Sequence, residues 1–416
     1  MTTVTHLSKT LQEILTKTAN DLARPTGFTQ RESKVTGAVF AQALVLGWLA
    51  NADATLEELT QGMAALDVTL SPQGLEDRFS PQAADLLKQL LQRATQHLIA
   101  VDPVAIPVLQ RFQGVYLQDS TTMTLPNALA EQWQGCGGKA GVGEAALKVQ
   151  VQFDLSAGGI ALLTLHNGRE QDRNASVQNS PLPAGALRLA DLGYFNVGIF
   201  ETLGKQGVYW LSRYQVQVNV ADEHGQPLDL PHWLSRQTVD QIDRPIILSD
   251  RHQLPCRLIA ARVPAKVAAE RRRRLRREAR KKGQSVSRAR LQLAAWTIFV
   301  TNVPVEKLSV TEALVIGRCR WQIELLFDLW KTHGKVGQSR STQPWRILCE
   351  VYAKLLAMLI QHWLVLVGCW QYPDRSWRKA SKTIRRYASQ MLSALAVRTH
   401  LEKVIRMIQH CLMVGC

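Results

Sequence analysis

The sequence lacks the spacings that betray most cofactor sites. Its seven cysteines, at 136, 256, 319, 349, 369, 411 and 416, include no CxxC pair and are odd in number. That argues against a zinc ribbon and a secreted disulfide framework, and makes a reducing cytoplasm the expected location. The ten histidines form no HxxxH or HExxH pattern and no GxxxxGK[ST] occurs, so neither a zinc hydrolase nor a Walker-type ATP site is indicated. No internal repeat or low-complexity linker interrupts the chain. The most hydrophobic run, LLAMLIQHWLVLVGCW, is broken by Gln361 and His362, and the N-terminus MTTVTHLSKTLQEILTKTAND has no apolar core. We therefore expect a buried helix over that run, no signal peptide and no membrane partner. Acidic residues are scarce too: 34 Asp and Glu stand against 50 Lys and Arg, a formal charge of +16. That excess points to a polyanion, nucleic acid ahead of a membrane surface. What is present is a chain of 416 residues, 46% hydrophobic, long enough for roughly two to four structural units.

Residues 1–105 read as helices, with Thr55 and Ser80-Pro81 in start positions. TLEELTQGMAALDVTLSPQGLEDRF is compatible with a helix-turn-helix whose recognition helix lies near Pro72 to Arg78, and equally with a plain helical bundle, since no clear basic face marks a recognition helix; 1–105 is expected to be a helical N-terminal DNA-binding domain. From about residue 112 the period becomes alternating: GVYLQDS, ALKVQVQFDL, GIALLTLHNG, ALRLADLGYF and GVYWLSRYQ read as strands, with a short helix over Gly198 to Lys205. This is the order of a mixed α/β sheet and makes 106–213 the first part of a core. Residues 214–302 read as a β-rich insertion carrying a basic finger, for nine of the twelve residues from Arg271 to Lys282 are Arg or Lys. Such a run is usually a solvated helix or mobile segment, but its place between the strands RLIAARV and AWTIFVTNV suits it to tracking phosphates. Helical periodicity returns over 303–340, the second part of the core, and over a C-terminal region, 341–416.

The segment GRCRWQIELLFDLWK reads as one amphipathic helix. Arg320, Glu324, Asp328 and Lys331 share a charged stripe, while Ile316, Cys319, Ile323, Leu326 and Trp330 share an apolar one. Two further acids close apolar runs: Asp119 in GVYLQDSTTMTLP and Asp191 in ALRLADLGYF. A carboxylate at the end of a buried strand needs a cap, a turn or a cation to offset its desolvation. Three carboxylates from two strands and a helix suit hard divalent cations. Two such ions can activate a water or 3′-hydroxyl and stabilise a leaving 3′-oxygen in phosphodiester chemistry. Asp250 in IILSDRHQL is a rival second acid, but falls in the insertion.

QDSTTMTLP, LADLGYF and RCRWQIELLFDLWK, in that order, resemble the three acidic motifs of DDE transposases of bacterial insertion sequences. More narrowly they resemble the insertion-sequence four group, with its Tyr-x2-Arg-x3-Glu-x6-Lys signature. The resemblance spans residues 112 to 333 and implies an RNase H-like catalytic core interrupted by a β-rich insertion, between helical N-terminal and C-terminal domains. It implies Asp119, Asp191 and Glu324 as catalytic and metal-binding residues, Mg2+ as cofactor with Mn2+ as a substitute, and Arg320 and Lys331 as DNA contacts. It also implies Trp296 as a base-stacking platform that would support a hairpin intermediate, and Arg213 as a contact to the terminal phosphate. The expected activity is cut-and-paste transposition at terminal inverted repeats. The partners are double-stranded DNA, at the element's ends and its target, and a second protomer in a synaptic dimer. The location is the bacterial nucleoid within the cytoplasm. At the signature tyrosine this chain has Gly317, which leaves a DNA-binding relic with impaired catalysis, or a nuclease without strand joining, as alternatives.

Overall fold

A computed structural model describes residues 3–97, 99, 106–137, 143–248, 252–372 and 375–415. The helices, in chain order, begin with α1 (Thr3–Gln12), α2 (Ala19–Ala23), α3 (Gly37–Ala50), α4 (Leu56–Ala64), α5 (Pro72–Glu76) and α6 (Pro81–Ala94). They continue with α7 (Val197–Lys205), α8 (Leu230–Ser235), α9 (Ala265–Lys281), α10 (Arg288–Leu293) and α11 (Val310–Cys319). The last are α12 (Trp321–Asp328), α13 (Pro344–Cys369), α14 (Trp377–Ala394) and α15 (Arg398–Gly415). The strands are β1 (Val115–Leu125), β2 (Ala145–Asp154), β3 (Ile160–Asn167), β4 (Leu187–Ala190) and β5 (Tyr209–Arg213). After them come β6 (Val220–Ala221), β7 (Pro227–Leu228), β8 (Gln241–Leu248), β9 (Leu254–Arg262) and β10 (Trp296–Thr301). This is a mixed α/β protein with a ten-stranded sheet.

Contacts divide the chain into two units. The first comprises residues 1–104, 120–170 and 323–416, and so collects helices from both ends of the sequence. Local signals fix where these helices start. The Thr36 hydroxyl accepts from Val39 N at the head of α3, Thr55 and Glu58 form a reciprocal capping box on α4, and Ser80 caps α6 just before Pro81. The core helix is α13, which packs against α3, α6 and α15. It is long and apolar enough to cross a membrane, with a mean hydropathy of 1.6 in its most apolar window, yet that window is wholly buried inside the protein. Its polar residues find partners: His362 Nε2 lies 2.6 Å from the Gly158 carbonyl, and Gln361 Oε1 accepts from Ser381 Oγ at 2.7 Å. Burial pushes the His362 imidazole down to about 4, so it is neutral at neutral pH. β2 and β3 form an antiparallel hairpin in this unit, next to the second half of β1.

The second unit comprises residues 105–119 and 171–322. The first half of β1 pairs in parallel with β4, and β4 in parallel with β5. The parallel crossover between β4 and β5 is α7, whose Phe200 stacks on Trp210 at 4.4 Å between centroids. β10 then joins β5 antiparallel, and β9, β8, β6 and β7 follow in that order. The basic run is a helix, α9, inserted between β9 and β10. Arg271 donates to the Trp296 carbonyl at 3.0 Å and Arg272 to the Leu291 carbonyl at 2.9 Å, so two of its cations anchor the helix while Arg273, Arg274, Arg276 and Arg277 are exposed.

Candidate active site

The register of β1 on β4 creates the site's acidic half. Gln118 lies opposite Ala190 in this parallel pair, and Asp191 N donates to the Gln118 carbonyl at 3.4 Å. The next residues, Asp119 and Asp191, are therefore neighbours across the ladder, at the carboxyl end of β4, where open α/β sheets bind ligands. Arg320 stands between them: its Nη1 is 3.1 Å from Asp119 Oδ2 and 3.7 Å from Asp191 Oδ1. Two carboxylates this close repel unless a cation divides them, and the guanidinium does so. The cluster is not sealed, since the Asp191 side chain is 44% exposed against 16% for Asp119. Beneath it, buried Arg188 donates to Gln118 Oε1 at 2.7 Å and to Gln178 Oε1 at 2.8 Å. Desolvation lowers that guanidinium to about 10, so it keeps its charge.

Two local expectations need correction. Asp119 does not end its strand, because β1 runs on to Leu125, with β2 as its neighbour; what ends beside Asp119 is β4. Nor is the segment from Gly317 to Lys331 one helix. It is α11, a joint at Arg320, α12, and a π-helical turn over Leu329–His333. The joint lets Arg320 turn to the aspartates. The extra residue of the π turn shifts the phase of the helix beyond Asp328, so Lys331 leaves the stripe of Glu324 and Asp328.

Glu324 lies in the first turn of α12, in the first unit, four residues after Arg320. The same helix buries Ile323, Leu326 and Phe327 while Glu324 is exposed, and Lys331 is exposed in the π turn beyond it. Asp328 is engaged elsewhere, accepting from Arg378 Nη2 at 2.8 Å. Asp250 lies outside the described residues. Among the described residues, no three His, Cys, Asp or Glu side chains form a ready metal cage. What the second unit itself offers a cation is the Asp119–Asp191 pair.

Arg213 and Trp296 come together in the second unit. Both line a cavity of about 460 Å3, with Arg271, Arg274 and Arg290 on its walls and Leu192 and Leu293 among its apolar residues. Trp296 is 4% exposed, and the Arg262 guanidinium covers its ring at 4.4 Å from the centroid. Aromatic, apolar and cationic surfaces in one cavity of this size suit a nucleotide. Two residues next to the Arg320 joint were not singled out in the sequence: Arg318, exposed near the end of α11, and Trp321, 55% exposed at the start of α12. Their signal was the run RCRW, in which each flanks Arg320.

The transposase DDE domain profile matches residues 110–360, well over half of the chain. The chain is 25% identical over 363 residues to a transposase for insertion sequence element IS231F of Bacillus thuringiensis subsp. israelensis, covering 82% of this chain and 75% of that protein. It is 27% identical over 379 residues to the IS231C transposase of Bacillus thuringiensis subsp. berliner, with 85% and 77% covered. To the transposase for element IS1151 of Clostridium perfringens it is 23% identical over 394 residues, with 87% and 81% covered. The match falls on the stretch that carries Asp119, Asp191, Arg320 and Glu324, and the chain belongs to the DDE transposases of insertion sequences.

Proposed function

We propose that this transposase moves its own insertion sequence by cut-and-paste transposition, with Asp119, Asp191 and Glu324 as its metal-binding carboxylates. The observation that carries the reading is the adjacency of Asp119 and Asp191 on parallel strands, turned to one guanidinium. Two acids already gathered around a positive group fit a divalent cation, and carboxylate oxygen is the donor that Mg2+ prefers and Mn2+ accepts. When bound, such ions supply the activation of a water or 3′-hydroxyl and the stabilisation of the leaving 3′-oxygen.

The chain's own groups bind and orient the DNA. Arg320 balances the acid pair, and its guanidinium has the fork geometry that suits a phosphate. Lys331 offers a mobile ammonium, and Arg213 a planar donor for the terminal phosphate. Trp296 lines the cavity but is buried beneath Arg262, so it can stack on an extruded base, as a hairpin intermediate requires, only once that guanidinium moves aside. The order β3-β2-β1-β4-β5 supports an RNase H-like core, 106–213 with 303–340. In this reading 214–302 is the β-rich insertion, 1–105 the DNA-binding domain and 341–416 the C-terminal region. Pairing two ends of one element calls for a dimer on double-stranded DNA.

The test uses the purified protein and a linear duplex bearing the inverted repeats that flank its gene. The expected result is Mg2+-dependent cleavage that leaves 3′-hydroxyl ends, followed by joined products. Cleavage without joining would make the protein a nuclease, and binding without cleavage a relic. Full cleavage by Asp119→Asn, Asp191→Asn and Glu324→Gln alike would sink the triad.

A further inference from the structure

A second cavity of the same unit, about 350 Å3, is lined by residues of β9, β10 and α11. Arg213, Arg262, Arg271 and Arg318 line it, against a single acid, Asp240. That acid is engaged by Arg262 at 3.2 Å, and Arg271 is committed to the Trp296 carbonyl and the Thr297 hydroxyl. Arg213 and Arg318 have no acidic partner among the described residues. Burial pulls the Arg271 guanidinium below its ordinary range, and the charges of Arg213 and Arg274 pull it further. Crowded cations without a neutralising acid are the electrostatic imprint of an anion.

Gly317 lines this cavity, packed directly against Phe299. A Cβ on Gly317 would stand 2.3 Å from Phe299 Cζ and 2.7 Å from Cε1, closer than any real contact. Phe299 is 4% exposed, and its backbone is registered on both sides, against Arg213 in β5 and Ile259 in β9. The strand cannot shift to release the ring. Any side chain at 317 must therefore displace Phe299 or lean into the cavity.

We propose that Arg318 joins Arg213, read above as a phosphate contact, in holding one backbone phosphate of bound DNA, in a subsite to which the packing of Gly317 on Phe299 gives room. That the anion belongs to DNA rests on the transposase reading; the anion site itself rests on the cavity and its cations. Guanidinium forks match phosphate oxygens in pairs. The cavity shares Arg213, Arg271 and Thr297 with the cavity that holds Trp296, so a nucleotide with its base in one can carry its phosphate into the other. In this chain the position of the signature tyrosine thus lines the subsite, and the aromatic surface comes from β10.

Two variants test the charge and the packing separately. Arg318→Gln should weaken binding of a labelled linear duplex by about tenfold, the loss of one hydrogen bond to a charged group. It should also lower the slope of log affinity against log salt by about one, equally for duplexes of unrelated sequence. Gly317→Ala should lower Tm, and adding Phe299→Leu, which removes Cζ, should recover most of the loss. Wild-type affinity and salt slope in Arg318→Gln would overturn the phosphate assignment, and an unchanged Tm in Gly317→Ala would overturn the packing argument. A wild-type protein that binds no DNA would remove the transposase reading and the subsite together, whereas failure in Arg318→Gln alone removes only the subsite.

Discussion

Lys354 and Glu350, one turn apart on α13, meet at 2.6 Å with side chains 1% and 8% exposed, whereas Arg320 meets Asp119 and Asp191 with side chains 18%, 16% and 44% exposed. The chemistry is the same, a carboxylate against a cation, but the surroundings differ. Around the α13 pair every polar direction is filled: Lys354 Nζ also donates to the Gln338 carbonyl at 2.9 Å, and Glu350 Oε2 accepts from Ser339 Oγ at 2.6 Å. That network ties the segment after the π turn to the core helix and engages both charged groups fully. Beside the end of β4 the two carboxylates meet one guanidinium and remain partly open to solvent, so another group can enter. A sealed pair holds structure, and an open excess of acid is available for chemistry.

Substitutions at the two places should therefore fail in opposite ways. In the open cluster, Asp119→Asn or Asp191→Asn should reduce Mg2+-dependent DNA cleavage roughly a thousandfold or more, the scale of losing a metal-held transition state. DNA binding should persist, and a variant that still cleaved at the wild-type rate would break the comparison at its functional end. In the sealed pair, Lys354→Met leaves Glu350 buried without its cation. It should cost about 3–5 kcal/mol in urea unfolding. The double variant Lys354→Met with Glu350→Leu should recover most of that loss, because the desolvation cost disappears with both charges. If Lys354→Met unfolded at the wild-type midpoint, sealing would not be what distinguishes the two sites.

The same sealed helix gives a pH test. His362 is held at about 4, below its ordinary value of 6.5, so the unfolded chain binds its proton first as pH falls. Stability from this group is complete above about pH 6.5 and is lost progressively toward about pH 4, by at most about 3 kcal/mol. Urea midpoints measured across that window should slope downward with acid in the wild type, and less so in His362→Gln. Equal slopes would mean that the imidazole is not sealed.

What could be read in advance was local or periodic. Thr55 with Glu58, and Ser80 with Pro81, mark helix starts because capping depends on residues within one turn. Alternation marks the end of β4 just before Asp191 but stops β1 too early at Asp119, because it reports the pleat and not the length of pairing. Three features could not be read, and each depends on contacts distant in sequence. The joint at Arg320 serves Asp119, some 201 residues earlier in the chain. β1 continues past Asp119 to Leu125, where β2 is its neighbour. Gly317 in α11 looks like a defect in a motif when read alone, but Phe299 of β10 fills the space its side chain would occupy. Arg213 and Trp296 were each legible as residues, but the cavity that joins them follows from the register of β5 on β10 and the placement of α9.

The smallest expected effect concerns the stability of the open site, and it separates chemistry from folding in a single protein. Asp191 is nearly half exposed and lies 3.7 Å from a guanidinium that is itself closer to Asp119. Water screens most of that attraction, and ion pairs this exposed contribute between nothing and about 1 kcal/mol. Asp191→Asn also relieves the repulsion between the two carboxylates, which works in the opposite direction. The net change in unfolding free energy should lie within about 1 kcal/mol of zero, with either sign. Measured on the preparation used for the cleavage assay, a change of that size beside a large loss of cleavage would assign Asp191 to the reaction. A loss of several kcal/mol would instead make the acid part of the scaffold, as Lys354 is, and the contrast between open and sealed pairs would not hold.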